Sequence, residues 1–214
     1  MTIHDLYAPV SSRFRRRRLA WLSHHLRPQP GERLLDVGGY PWCWPAGSTP
    51  CAVTLLNRAF TPDAAAQARA AGMDVLTGDG CALPFADAQF DLLFSNSVIE
   101  HVGTWERQQA FAREARRVGR RLWVQTPARE FFVEPHLIAP CIHWLPRAWQ
   151  RRLIRNFTVR GWLERPGPRE VDAFLDEVRL LTFSEMQTLF PDCTILRERF
   201  LGFTKSYLAV RTTP

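Results

Sequence analysis

The sequence has almost no lysine, no long apolar run and no paired cysteines. Lys205 is the only lysine among 28 basic residues, so the net charge of +7 comes from arginine. Without a run of 18 apolar residues, the chain lacks the signal of a transmembrane helix. Its first residues also lack the basic and apolar segments of a secretory signal peptide. We therefore expect a cytoplasmic protein.

The cysteine pattern excludes two classes of stabilised protein. The five cysteines are odd in number and scattered, and no two of them form a Cys-x-x-Cys pair. A disulfide framework needs paired cysteines, and a structural zinc site needs closely spaced ones. We expect reduced thiols, mostly in the core, and we predict no metal site.

Arginine is concentrated in three clusters, at 13–18, 113–121 and 147–155. Such clusters most often form solvated helix faces, which is the interpretation we favour. A nucleic-acid partner is disfavoured because no nucleic-acid-binding motif accompanies the charge. The third cluster lies in a basic amphipathic stretch at 145–157, which favours a surface helix and leaves contact with a membrane surface or an acidic carrier open.

Short apolar strands alternate with helical stretches along most of the chain, within one expected domain. The predicted strands are 34–38, 52–56, 73–76, 90–94, 121–125, 194–200 and 206–210, and the predicted helices are 13–26, 63–71, 105–118 and 183–190. This alternation is typical of an α/β fold with a doubly wound, Rossmann-like sheet. The stretch 131–169 is rich in proline, aromatics and arginine, and we interpret it as an insertion or lid.

Glycines and polar residues follow four of the predicted strands. In order along the chain they are Asp36-Val37-Gly38-Gly39, Asn57, Gly78-Asp79-Gly80 and Ser95-Asn96-Ser97. Ligands of doubly wound sheets bind at the carboxyl ends of the strands, so these residues are candidates for one site. The glycines permit a positive φ and a close approach of the ligand to the backbone.

Two segments carry a specific resemblance. Leu-Leu-Asp-Val-Gly-Gly begins at residue 34, and residues 78–102 read Gly-Asp-Gly-Cys-Ala-Leu-Pro-Phe-Ala-Asp-Ala-Gln-Phe-Asp-Leu-Leu-Phe-Ser-Asn-Ser-Val-Ile-Glu-His-Val. Over roughly residues 30–127 the chain resembles the class I S-adenosylmethionine-dependent methyltransferases. Further motifs at 125–136, 143–146 and 198–206 resemble a branch of small bacterial methyltransferases of the type 11-like kind.

The resemblance implies a three-layer fold around a seven-stranded sheet whose last strand is antiparallel. It also implies S-adenosylmethionine bound across the carboxyl ends of the first four strands. It assigns Asp36, Gly38 and Gly39 to the methionine part of the cofactor and Asn57 to the ribose. It assigns Asp79, Gly80 and Cys81 to the adenine. It places Ser95 and Asn96 at the border of the reactive centre.

The first loop departs from the family pattern. Tyr40 and Trp42 stand where the family usually has its second and third glycines. Pro41, Pro45 and Pro50 make a helix between the first two strands unlikely, since proline removes a hydrogen-bond donor. Tyr40, Trp42 and Trp44 form an aromatic group that either packs against the sheet, which we favour, or covers the sulfonium through cation–π attraction.

Histidines and carboxylates near the strand ends are the candidate bases. We favour His136, which follows Glu134 and Pro135 shortly after the fifth strand, and we include Glu134 and His101 as catalytic candidates, with His143 a further possibility. For Glu100 and His101 the simpler interpretation is capping and packing at a helix start. Five aromatic residues favour a local core over a substrate pocket: Phe131, Phe132, Trp144, Trp149 and Trp162.

Three functions remain open from the sequence. The leading one is methyl transfer to a small-molecule, lipid-linked or sugar-linked acceptor. The second keeps the cofactor and is a cyclase or lyase that forms azetidine-2-carboxylate and releases methylthioadenosine, for which the altered aromatic loop is the motive. The third is a non-catalytic binding module whose first loop no longer admits the cofactor.

Overall fold

A computed structural model describes the backbone of residues 3–213 and the side chains of residues 12–213. Its centre is a seven-stranded sheet, confirming the predicted α/β class. The strands are β1 (Arg33–Val37), β2 (Ala52–Asn57), β3 (Asp74–Thr77), β4 (Phe90–Asn96), β5 (Gly119–Pro127), β8 (Thr194–Phe200) and β9 (Phe203–Arg211), with a separate pair β6 (Val133–Glu134) and β7 (Ala139–Pro140). The order is β3-β2-β1-β4-β5-β9-β8, and β9 is antiparallel to both neighbours.

Helices cover both faces of the sheet and form the two outer layers. The helices of the described chain are α1 (Ile3–Leu26), α2 (Pro62–Ala70), α3 (Trp105–Val118), α4 (Arg147–Phe157), α5 (Val159–Glu164), α6 (Pro168–Glu177) and α7 (Phe183–Leu189), of which α4 to α6 pack with one another. Neighbouring residues of one strand point to opposite faces, so Leu34 packs with Leu22 of α1 while Leu35 packs with Phe111 of α3. Two apolar layers therefore enclose the sheet.

The connection from β1 to β2 contains no α-helix, as the prolines predict. It holds only a single 3₁₀ turn, Pro41–Cys43. The family-like crossover is thus replaced by a short irregular loop. This leaves the ends of β1 and β4 beside α1 and not beneath a crossover helix.

The segment after β5 is more regular than the sequence suggested. It contains the β6–β7 pair and the helices α4 to α6. A small apolar cluster of its own holds it together, formed by Leu137, Ala139, Ile142, Ile154 and Val171. α6 has no counterpart among the predicted helices. Its Pro168 occupies the first turn, where no amide donor is needed.

The structure also corrects the predicted start of the first helix and the predicted end of the fourth strand. The first helix begins ten residues before the predicted start, at Ile3. Ser95 and Asn96 are the last residues of β4 and do not belong to the loop after it. Within the part of the chain that the structure describes, no helix combines the length and the apolarity needed to cross a membrane.

Candidate active site

Asp36 lies near the end of β1 and is 1% exposed. The Trp44 indole Nε1 donates a hydrogen bond to Asp36 Oδ2 at 2.7 Å. Burial raises the pKa of Asp36 from 3.8 to about 7, against the lowering effects of Trp44 and of the Arg15 charge. A cation bound beside Asp36 therefore favours its ionised form.

The two glycines after β1 are required by their surroundings. Gly38 has a φ of +84°, and a Cβ there would lie 2.3 Å from Val98 Cγ2. A Cβ on Gly39 would lie 1.9 Å from Asp36 Oδ2. The loop backbone can therefore reach a ligand closely only because neither residue carries a side chain.

The aromatic residues of this loop divide into two groups. Tyr40 and Trp42 stack with ring centroids 4.5 Å apart, and both line the large cavity described below. Trp44 is buried, contacts Phe94 edge to face and bonds to Asp36. The expectation of one aromatic group is therefore wrong: Trp44 packs against the sheet, and the other two face the cavity.

A cavity of about 960 Å³ lies at the carboxyl ends of β1, β4 and β5, between α1 and the segment after β5. Its volume is at the upper end for small-molecule sites. The structure brings seven of the predicted site residues to it: Asp36, Gly38, Gly39, Tyr40, Asn96, His101 and His136. The loop after β1 and the candidate bases therefore face one common space.

The residues predicted to contact adenine lie outside this cavity. Asp79 Oδ2 accepts a hydrogen bond from Arg107 Nη2 at 2.8 Å, and Asp79 Oδ1 accepts one from the Cys81 amide. Burial opposes ionisation, but these bonds lower the pKa of Asp79 overall. A Cβ on Gly80 would lie 2.9 Å from Phe111, so Gly80 permits packing against α3.

Asn57 and Ser95 have structural partners. Asn57 Nδ2 donates to the Gly39 carbonyl at 3.5 Å, which ties the end of β2 to the first loop. Ser95 is fully buried and donates to the Val37 carbonyl. The structure thus places Ser95 inside the sheet, away from the cavity that it was expected to border.

Sequence reasoning missed Arg18, which lies at the centre of the cavity wall formed by α1. Its guanidinium donates to both carboxylate oxygens of Glu198, at 3.3 and 2.6 Å. It also donates to Asn96, Gln125 and Ser206. Since Arg18 is only 6% exposed, the interpretation of its cluster as a solvated face is wrong for this residue.

Lys205 of β9 adds a second cation to the lining of the cavity. Its ammonium lies 3.5 Å from the centre of the Phe14 ring. Burial and the nearby charge of Arg18 lower the pKa of Lys205 to about 8. This part of the cavity lining is therefore suited to a ligand that carries negative charge or an aromatic ring.

The candidate bases are held by carboxylates. His136 Nδ1 and Glu134 Oε1 are 2.6 Å apart, and Glu134 Oε2 accepts from the Leu137 amide. Burial lowers the pKa of His136, but the Glu134 contact outweighs it and the net shift is upward. His101 Nδ1 lies 3.2 Å from Glu177 Oε1. Glu134 itself does not line the large cavity, so its geometry fits positioning of His136 better than contact with a substrate.

Of the remaining aromatic candidates and His143, some line the large cavity and the others do not. Phe131 and Phe132 line the large cavity, although a local core was favoured for them. Trp144, Trp149 and Trp162 are about half exposed and form neither a pocket nor a core. His143 Nε2 donates a hydrogen bond to the Arg129 carbonyl, and the side chain lies outside the large cavity.

Comparison with known proteins gives a consistent result. A methyltransferase-domain model matches residues 36–121. An uncharacterized methyltransferase of Mycobacterium tuberculosis is 38% identical over 90 residues, covering 38% of this chain and 34% of that protein. This chain therefore spans about a third of the length of the curated relatives it matches.

Two solved structures share the fold at low identity. A 1,6-didemethyltoxoflavin-N1-methyltransferase of Burkholderia thailandensis, with 1,6-didemethyltoxoflavin and S-adenosylhomocysteine bound, aligns with a TM-score of 0.57 at 16% identity, over 99% of this chain and 84% of that one. A possible histamine N-methyltransferase of Thermotoga maritima aligns with a TM-score of 0.52 at 17% identity, over 99% of each chain.

The matched residues run from β1 into β5 and contain all four predicted cofactor loops. The alignment with the Thermotoga maritima structure extends over 99% of this chain, so the likeness in fold continues beyond the matched residues. Residues 36–121 are thus similar to a methyltransferase domain, and the chain shares the fold of solved S-adenosylmethionine-dependent methyltransferases.

Proposed function

We propose that this protein transfers a methyl group from S-adenosylmethionine to a small-molecule, lipid-linked or sugar-linked acceptor. One observation carries the proposal: a single cavity joins the glycine loop after β1 to the histidines that follow β4 and β6. When bound, S-adenosylmethionine supplies a methyl group that is already activated by its sulfonium. The protein then has to position an acceptor, exclude water and remove a proton.

The residues of the first loop suit this cofactor. Gly38 and Gly39 leave room that a Cβ would fill, and the buried carboxylate of Asp36 complements a cationic ligand. We propose Asp36, Gly38 and Gly39 for the methionine part and Asn57 for the ribose. We propose Asp79 with its two following residues, Gly80 and Cys81, for the adenine.

Asp79→Ala should weaken binding of S-adenosylmethionine by about 1–3 kcal/mol, because the carboxylate would no longer accept a hydrogen bond from the adenine amine. Isothermal titration calorimetry measures this change. Arg107→Ala is the matched control, since Arg107 competes for the same carboxylate in the structure.

We expect Arg107→Ala to leave the affinity unchanged or to strengthen it. Equal losses in the two variants would show that the ion pair only holds the loop together. An unchanged affinity in Asp79→Ala would remove Asp79 from the proposed site.

At the acceptor end, His136 is the residue we propose as the base. Glu134 holds its Nδ1, which fixes the ring and leaves Nε2 for the acceptor. Asn96 and Phe132 border the same space. His101 lies against His136, with ring centroids 4.7 Å apart, and we propose that it shapes this end of the cavity.

The cyclase or lyase remains the alternative, and the stacked pair Tyr40 and Trp42 favours it. These rings line the cavity at positions where the family that the sequence resembles usually has glycine, so they could fold the methionine part of the cofactor back on itself. A non-catalytic module is the second alternative. The retained glycines and the open cavity argue against it.

Incubation of the purified protein with S-adenosylmethionine alone, followed by mass spectrometry, separates these functions. We expect bound, unreacted cofactor, with S-adenosylhomocysteine appearing once an acceptor is added. Methylthioadenosine with azetidine-2-carboxylate, above a no-protein control, would overturn methyl transfer in favour of the cyclase. A folded protein that binds no cofactor would leave only the binding module.

Contact with a membrane surface or an acidic carrier stays a weaker proposal. The predicted amphipathic stretch forms α4, from which Trp149 and Phe157 are exposed beside several arginines. Exposed aromatics next to basic residues are typical of interfacial helices. This placement supports a lipid-linked acceptor over a nucleic acid.

A further inference from the structure

Three side chains with metal-binding atoms converge at the acceptor end of the large cavity. Glu100 and His101 lie in the 3₁₀ turn Ile99–His101 after β4, and His136 lies between β6 and β7. One carboxylate oxygen and one ring nitrogen from each histidine lie within 4.8 Å of one another. Distant parts of the chain therefore bring two imidazoles and a carboxylate together.

In each histidine, Nδ1 already contacts a carboxylate. A metal-binding histidine usually has such a partner on the ring nitrogen that does not bind the metal. Nδ1 of His136 faces Glu134, and Nδ1 of His101 faces Glu177. A carboxylate that accepts the Nδ1 proton fixes the tautomer and leaves the Nε2 lone pair for a metal ion. Among the residues that the structure describes, neither Nε2 atom has a hydrogen-bond partner.

Glu100 is the independent observation that points to a ligand. Its side chain is fully buried, and Oε2 accepts a hydrogen bond from Thr126. Oε1 has no hydrogen-bond partner among the described residues. An unpaired buried carboxylate oxygen is costly, and a bound cation would remove that cost.

We propose that Glu100, His101 and His136 bind one divalent transition-metal ion. Two histidines and one carboxylate are a ligand set of catalytic zinc and of non-haem iron, and both leave coordination positions open. His101 and His136 line the large cavity, so the open positions face it. The described cysteines contribute nothing to this site, which is why the cysteine pattern gave no sign of it.

The role of the ion rests on the proposed methyl transfer. Bound to an acceptor hydroxyl, it would lower the pKa of that group, and bound to an acceptor carboxylate it would orient the nucleophile. It would then replace His136 as the group that activates the acceptor. The ion itself can be tested without any acceptor.

Cobalt titration of the chelator-treated protein is the direct test, because visible d–d bands report nitrogen and oxygen ligands. We expect saturation at one Co²⁺ per chain and displacement by Zn²⁺. Glu100→Gln and His101→Asn should each weaken binding by about 10²-fold or more, since loss of outer partners alone costs 10- to 100-fold. His143→Asn is the matched control and should bind as the parent does.

Several outcomes decide the proposal. A folded parent protein that binds neither Co²⁺ nor Zn²⁺ overturns it, and so does unchanged binding in both ligand variants. If circular dichroism shows that Glu100→Gln does not fold, His101→Asn and His136→Asn decide. Binding of S-adenosylmethionine measured in the presence of chelator tests the proposed function separately, so either idea can fail alone.

Discussion

Replacing Glu198 by alanine should lower the free energy of unfolding by about 3–5 kcal/mol, the usual cost of leaving one member of a buried ion pair without its partner. Glu198 is fully buried, and it is the only carboxylate in hydrogen-bond contact with Arg18 in the described structure. Asn96, Gln125 and Ser206 would still accept hydrogen bonds from the guanidinium. None of them can supply the lost negative charge.

Urea unfolding at neutral pH measures this loss, and two variants test its cause. Asp172→Ala removes the partly exposed partner of Arg151 and should cost no more than about 1 kcal/mol. A double variant with Arg18→Met and Glu198→Met should recover most of the stability, because no unpaired charge remains buried. Equal losses in Glu198→Ala and Asp172→Ala would show that burial adds nothing to the pair.

The same pair ties α1 to the edge of the cavity. Arg18 is on α1, whereas Glu198 is on β8 and Ser206 is on β9. Phe14, Arg15 and Leu19 of α1 also line the cavity. Loss of the ion pair should therefore loosen this wall, and trypsin should cleave faster within the arginine cluster of α1 in Glu198→Ala than in Asp172→Ala.

The sheet could be predicted because its information is local. Strands buried on both faces are short apolar runs, and runs such as 52–56 and 90–94 can hardly form another buried element. Gly38 was predictable for a similar reason, since a glycine after a strand indicates a positive φ or a close approach. Proline at 41 and 45 likewise predicted the missing helix between β1 and β2.

The cavity walls could not be predicted because they depend on contacts between distant residues. Arg18 and Glu198 are 180 positions apart, and an arginine within a basic cluster looks like a solvated residue. Glu100 looked like a residue that caps a helix, and only the fold brings His136 beside it. Asp79 was correctly placed after its strand, but its pairing with Arg107 of α3 has no local sequence signal.

His136→Ala should reduce turnover by about 10²-fold or more while leaving the affinity for S-adenosylmethionine nearly unchanged. The side chain lies at the proposed acceptor end of the cavity, and Glu134 holds its Nδ1 at 2.6 Å. Steady-state kinetics, once an acceptor is known, and calorimetry with the cofactor measure the two quantities. A loss of turnover without a loss of affinity for S-adenosylmethionine would show that His136 acts on the acceptor and does not hold the cofactor.

Two matched variants show how His136 acts. His143→Ala removes a histidine outside the cavity and should retain full turnover. Glu100→Gln removes the proposed metal ligand but leaves His136 and Glu134 in contact, so it should spare turnover if His136 is a base and abolish most of it if a metal ion is needed. Unaltered turnover in His136→Ala would reduce this histidine to a packing residue, because both a base and a metal ligand require it.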